Sequence, residues 1–167
     1  MTSVYPIFKS TDMLHMYDNP EERCDKIDKY PNNSLMDILS KHEDFTIFYN
    51  LVKDTHYKKI LSCIDYNYTL FVPSDIMLKN KYSEHFLSNI RKTFAIELTR
   101  NSIIDRIVDK KVLQSSKKAL FRFLESTRNK VETVDDNTTI NKCAKVIHWN
   151  HPAKNGIIHV TDNFIFT

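Results

Sequence analysis

A chain of 167 residues that is 41% hydrophobic and 27% charged is long enough to bury one core and too apolar to be disordered. Its formal net charge of +3 gives no single-sign field that would force a nucleic acid or membrane on the whole molecule. One glycine in the entire sequence excludes Gly-rich phosphate loops and flexible glycine linkers, both of which need several such residues.

Residues 1–31 read as an N-terminal arm and residues 32–167 as a single domain. Pro6, Pro20 and Pro31 punctuate the arm, and acids dominate from Asp18 to Asp28. Its apolar side chains are too few for a core of their own, which makes Phe8, Leu14 and Tyr17 candidate anchors on a folded surface. Lys9, Asp12, His15 and Asp18 interrupt any signal-peptide core, and no stretch reaches the length of a transmembrane helix. Cys24, Cys63 and Cys143 are odd in number and widely spaced, an arrangement unlike a closed disulfide framework. The expectation is an intracellular setting, cytoplasm or virion rather than secretion, with all three thiols reduced. Sequons at Asn32, Asn67 and Asn137 are chance matches in that setting.

From Ser34 the period is helical. Leu35, Ile38 and Leu39 share a face, and Phe45, Phe48, Leu51 and Val52 repeat it, with Asn33 or Ser34 and later Asp44 as N-caps. A short helix is expected from His56 to Cys63. Tyr68 to Pro73 is a strand stopped by its proline, with Ser74 placed to cap the next helix. Glu84 to Asp109 reads as one or two helices carrying Phe86, Leu87, Ile90, Phe94, Leu98, Ile103, Ile104 and Ile107. Beyond Val112 strands dominate: Lys130–Val134, Thr138–Ile140, Cys143–Trp149, Gly156–Val160 and Phe164–Phe166, with Ala119–Leu124 ambiguous. Asp135-Asp136 before Asn137 makes a hairpin turn. Helices first and strands last define an α+β chain.

No nucleophile elbow, zinc-protease helix, P-loop or dinucleotide fingerprint is present. No catalytic or cofactor-binding residue is therefore assigned. Cys143, His148 and His151 have ligand chemistry, but zinc needs a fourth donor and strand alternation sends Cys143 and His148 to opposite faces; no metal site is assigned. Charge is more informative. Residues 1–45 carry a net of −4 and residues 91–130 a net of +7. Lys110-Lys111 and Lys117-Lys118 are the densest points of that band and candidate partner contacts.

Two stretches organise the chain. Thr69-Leu70-Phe71-Val72-Pro73-Ser74-Asp75 is a buried strand running into a capped helix. Asn155-Gly156-Ile157-Ile158-His159-Val160-Thr161-Asp162 opens with an Asn-Gly turn that needs φ > 0 and continues as a second buried strand. In this order, separated by roughly ninety residues as suits one domain, they resemble the two signature segments of the fasciclin (FAS1) family. Val134 to Val146 also resembles the paired strands that precede the closing segment. The resemblance covers about Ser34 to Phe166. It implies a single α+β domain in which N-terminal helices precede a twisted, antiparallel-rich sheet wedge. Leu70, Phe71, Pro73, Asn155, Gly156 and His159 are then structural, His159 as a hydrogen-bonded core histidine.

The implied function is a non-enzymatic protein–protein interaction or assembly module without cofactors, a structural component of an intracellular or virion assembly. Its partners are proteins, including a larger assembly or capsid. The alternatives are a nucleic-acid or polyanion binder using the 91–130 band and an unrecognised metal-dependent enzyme. Two family features are missing. Asp105-Arg106 stands where a Tyr-His pair is common, and Asn150-His151-Pro152-Ala153 stands where an Asp-Ile adhesion motif is often proposed, so integrin binding is not implied.

Overall fold

In a computed structural model the described residues are 29–167. The arm therefore lies outside them up to residue 28, and with it Phe8, Leu14 and Tyr17. Six helices and seven strands follow in order: α1 (Leu35–Lys41), α2 (Thr46–Val52), α3 (Tyr57–Ser62), β1 (Tyr68–Pro73), α4 (Asp75–Lys81), α5 (Glu84–Arg100), β2 (Ile103–Ile104), α6 (Lys110–Leu113), β3 (Lys118–Arg122), β4 (Arg128–Val134), β5 (Asn137–Ile140), β6 (Ala144–Ala153) and β7 (Gly156–Thr161). The strands lie in the order β2-β1-β7-β6-β5-β4-β3. Only β1 and β7 run parallel; every other pair is antiparallel. The expected α+β class and the antiparallel-rich sheet are both observed.

The wedge turns on β6. Its first two residues pair with β5, and Val146 to Ala153 pair with β7 through two register shifts. Such irregularities bend a strand and increase its twist, so one ten-residue strand serves both halves of the sheet. The two signature strands form the centre. Phe71 pairs with His159 and Leu70 with Ile158, and all six residues of β1 are buried. Alternation sends Leu70, Val72, Ile158 and Val160 against Leu35, Leu39, Phe48 and Leu61 of the helical layer. Phe71 faces the other way, into a cluster with Phe123, Val131, Ile140 and Val146.

Serines and aspartates start the helices. Ser34, Ser74 and Ser83 each accept a backbone N–H of the first turn they precede, as does Asp109 for α6. Helix α2 differs from expectation. Its N-cap is Phe45, not Asp44, and it has no side-chain cap of its own. The carboxylate of Asp75 instead accepts the N–H groups of Thr46 and Ile47, both at 2.9 Å. Asp44 meanwhile accepts from Ile76 N–H and from the Ser74 hydroxyl. Helices α2 and α4 thus exchange acidic caps, which places a carboxylate at the positive end of each dipole.

Several expectations are corrected. Ile103 and Ile104 are a strand rather than helix, because α5 ends at Arg100 with Asn101 as its C-cap and both isoleucines are taken into the sheet by Leu70 and Thr69. Lys110–Leu113 forms a short helix between the expected helices and the first expected strand, where no element was assigned. Phe164–Phe166 is not a strand. Both edges of β7 are already occupied by β1 and β6, so side chains satisfy this segment: Asn101 Nδ2 donates to the Ile165 carbonyl and Asn141 Nδ2 to that of Phe166. The three cysteines are not all reduced. Cys63 is disulfide-bonded and Cys143 is a free thiol; an odd count rules out complete pairing but leaves room for one bridge.

Asp135 and Asp136 both adopt positive φ and turn the β4–β5 hairpin as expected. Gly156 opens β7 at φ +156, and a Cβ added there would lie 1.9 Å from the carbonyl oxygen of Tyr68. That oxygen belongs to a central strand and has nowhere to move. Gly156→Ala is expected to lower the unfolding free energy by at least about 2 kcal/mol. Urea denaturation checks this, and a loss within experimental error would show that β1 can give way.

Candidate functional site

The polar side chains of the signature strands face inward. Asn155 is fully buried; its Oδ1 accepts the Leu35 N–H at 2.8 Å, and its Nδ2 donates to the carbonyls of Leu61 and Cys63. His159 is equally buried, with Asn150 N–H donating to Nδ1 at 3.1 Å and Nε2–H donating to the Val108 carbonyl at 2.7 Å. Thr69 donates to the Arg106 carbonyl and accepts from Val108 N–H. Together His159 and Thr69 pin the segment before α6 onto the central strands. Leu70 and Phe71 are core, and Pro73 ends β1 opposite Thr161. None of these residues can touch a partner, so function falls to the exposed faces.

One such face is on α5. Phe86, Ile90, Phe94 and Leu98 recur at helical spacing, but only Ile90 and Leu98 are buried. Phe86 is 40% and Phe94 45% exposed. Phe94 has non-helical angles and kinks the helix. The stripe and Phe166 line an apolar groove of about 280 Å³, with Glu97 and Asn101 at its polar end. The 91–130 band carries three aromatics, Phe94, Phe121 and Phe123. The latter two do pack in the cluster around Phe71, but Phe94 does not.

The second face is basic. Register places Lys118 opposite Glu132, Leu120 opposite Lys130 and Arg122 opposite Arg128. Glu132 continues to Thr139 and Thr139 to Lys145. Opposed residues share a face, so Lys118, Arg122, Arg128, Lys130 and Lys145 stand together around a single acid, Glu132. The candidate lysines divide. Lys110 lies over the Trp149 ring and 3.8 Å from Asp136, whereas Lys111 is exposed beside it on α6. Lys117 is exposed just before β3, and Lys118 joins the basic face. The charge count over 91–130 includes Arg122, Arg128 and Lys130 without singling them out and leaves out Lys145; the alternation of the strands, which puts Lys118 and Arg122 on one face of β3 and Arg128 and Lys130 on one face of β4, was the available signal.

Residues 43–167 match the Fasciclin domain family. The chain belongs to the fasciclin family. Among solved structures the fold is similar to a FAS1 domain pair from the insect cell adhesion molecule Fasciclin I, with a TM-score of 0.60 at 19% identity. That alignment covers 82% of this chain and 52% of the insect one, so the chain spans about half the length of that domain pair. No curated protein matches the sequence.

Fasciclin domains are adhesion and protein-interaction modules, and the histidine of the closing segment has a structural role in this one. Among the described residues no His, Cys, Asp and Glu groups cluster to hold a metal. Cys143 Sγ is engaged with the Ile140 carbonyl, and His151 lies beside His42. No helix of the described residues is long and apolar enough to cross a membrane.

Burial lowers the pKa of His159 below its usual value, against smaller opposing pulls from the Val108 carbonyl and Asp109. Burial and then His42 lower that of His151. Both are neutral in the folded domain, and the unfolded chain takes up protons first as pH falls. The contribution of His159 is fully present above about pH 6.5 and declines below it, by at most about 1.4 kcal/mol per pH unit, while that of the exposed His151 is largely screened by solvent. Urea denaturation from about pH 7.5 to about pH 5 should show this decline, with a shallower slope in His159→Gln. An unchanged slope would remove His159 from the account.

Proposed function

We propose that this fasciclin domain is a non-enzymatic protein-binding module whose apolar contact is the α5 groove. The observation that carries the reading is the pair of half-exposed phenylalanines, Phe86 and Phe94, lining a concavity floored by Ile90 and Leu98. Aromatic side chains in an apolar pocket are the usual anchors of protein interfaces, and a groove of this volume accepts one or two apolar side chains of a partner. The insect relative is a cell adhesion molecule, which supports the same class of work. The basic sheet face is separate from the groove. Two faces on one domain allow it to bridge two partners, as a cementing component of a cellular or virion assembly does.

A polyanion or nucleic-acid reading takes second place and draws on the basic face. Salt dependence separates the two. Binding through an apolar groove changes little with ionic strength, whereas phosphate contacts weaken steeply. The test uses protein purified from the native source on the immobilised domain, with Phe86→Asp/Phe94→Asp as the variant. Both substitutions are at exposed positions, so folding should persist. Partner affinity is expected to fall by at least about tenfold, with weak salt dependence in the parent domain. Equal affinity of both forms, or binding lost on adding salt alone, would contradict the groove.

A further inference from the structure

β3 is the last strand of the sheet, with no neighbour beyond it among the described residues. The direction of its backbone follows from two bonds. Thr133 N–H donates to the Lys117 carbonyl at 2.8 Å and Phe123 N–H to that of Thr127 at 2.7 Å. These bracket the β3–β4 register. Because bonded and non-bonded pairs alternate in an antiparallel ladder, Ala119 and Phe121 turn their backbone groups to β4. Lys118, Leu120 and Arg122 turn theirs to the open edge.

The side chains of those same three residues stand on the outward face, all exposed, with Leu120 65% accessible. Arg122 faces Arg128 in a non-hydrogen-bonded pair, where side chains come closest. Like charges directly opposed are destabilising, and among the described residues neither arginine has a carboxylate partner. Charged edges normally repel other strands. A second copy of β3 would be rejected here, since antiparallel pairing would set Lys118 against Arg122. A strand carrying carboxylates would instead be attracted.

We propose that the open edge of β3 binds an extended segment of a partner protein by strand addition. The segment places acids opposite Lys118 and Arg122 and an apolar residue opposite Leu120, an acid-x-apolar-x-acid pattern spanning roughly 13 Å. Main-chain hydrogen bonds supply the affinity and the charge pairs supply the choice of partner. The face offers Leu120 but no aromatic platform, which disfavours single-stranded nucleic acid. This inference rests on the protein-binding reading but not on the α5 groove.

The test titrates the isotopically labelled full chain with a short synthetic peptide of alternating threonine in that pattern, and with its lysine-exchanged analogue. The acidic peptide should protect the amides of Lys118, Leu120 and Arg122 from hydrogen exchange and bind at least about tenfold tighter than the analogue. Leu120→Pro removes an edge N–H that the β3–β4 ladder does not use and should abolish this protection. Lys118→Glu/Arg122→Glu should reverse the preference between peptides, and keeps the test decisive if the proline variant fails to fold. Unprotected edge amides, an unchanged preference in the charge-reversed form, or displacement of the peptide by an oligonucleotide that binds tighter would each overturn the proposal. If only the edge tests fail while the groove variant still loses its partner, strand addition alone is wrong. If neither surface binds protein, the protein-binding reading is wrong as well.

Discussion

Asn155 joins three separate parts of the chain through one buried amide. Its carbonyl oxygen takes the first N–H of α1, and its amide nitrogen takes two carbonyls at the end of α3, Leu61 and Cys63. Its own backbone carbonyl accepts from Tyr68 N–H, where β1 begins. Asn155 is fully buried, so a partner group left unpaired by its loss costs about 1–3 kcal/mol. The bare α-carbon of Gly156, pressed against Tyr68, allows β7 to start beside β1 immediately afterwards. The parallel β1–β7 pair and the helices above it depend on this corner.

The remainder of the motif extends the same logic to the other side of the sheet. His159 holds the Val108 segment and the irregular part of β6 at once, since its two ring nitrogens face Val108 and Asn150. Lys110 N–H then reaches the Asn150 side chain, which ties α6 to the same point. The polar groups of the signature segments are thereby engaged inside the fold. Recognition falls to surfaces that the motif only positions: the kinked α5 with its exposed phenylalanines, and the sheet face ending at β3.

The buried centre was legible because a fully buried strand announces itself. Tyr68 to Pro73 and Gly156 to Thr161 are short β-branched and aromatic runs bounded by breakers, and Ser34 and Ser74 are caps by residue type alone. Ile103-Ile104 was misread since two adjacent isoleucines suit a helix face and a strand equally, and only the neighbouring β1 decides between them. Phe164 to Phe166 has strand composition, but composition does not say whether any sheet edge is free. The cap of α2 was illegible for a related reason: Asp75 lies far from Thr46 in sequence and meets it only in the folded domain. Phe94 followed the apolar period of α5, and the kink that leaves it half-exposed has no proline or glycine to mark it.

The most direct test of this account is Asn155→Ala, with unfolding free energy and amide exchange measured on the same samples. The account predicts a loss of about 3–5 kcal/mol, with the Leu35 amide losing protection before the amides of β4 and β5. A loss below about 1 kcal/mol, or a Leu35 amide protected as before, would contradict the claim that this one side chain holds the helical layer to the central strands.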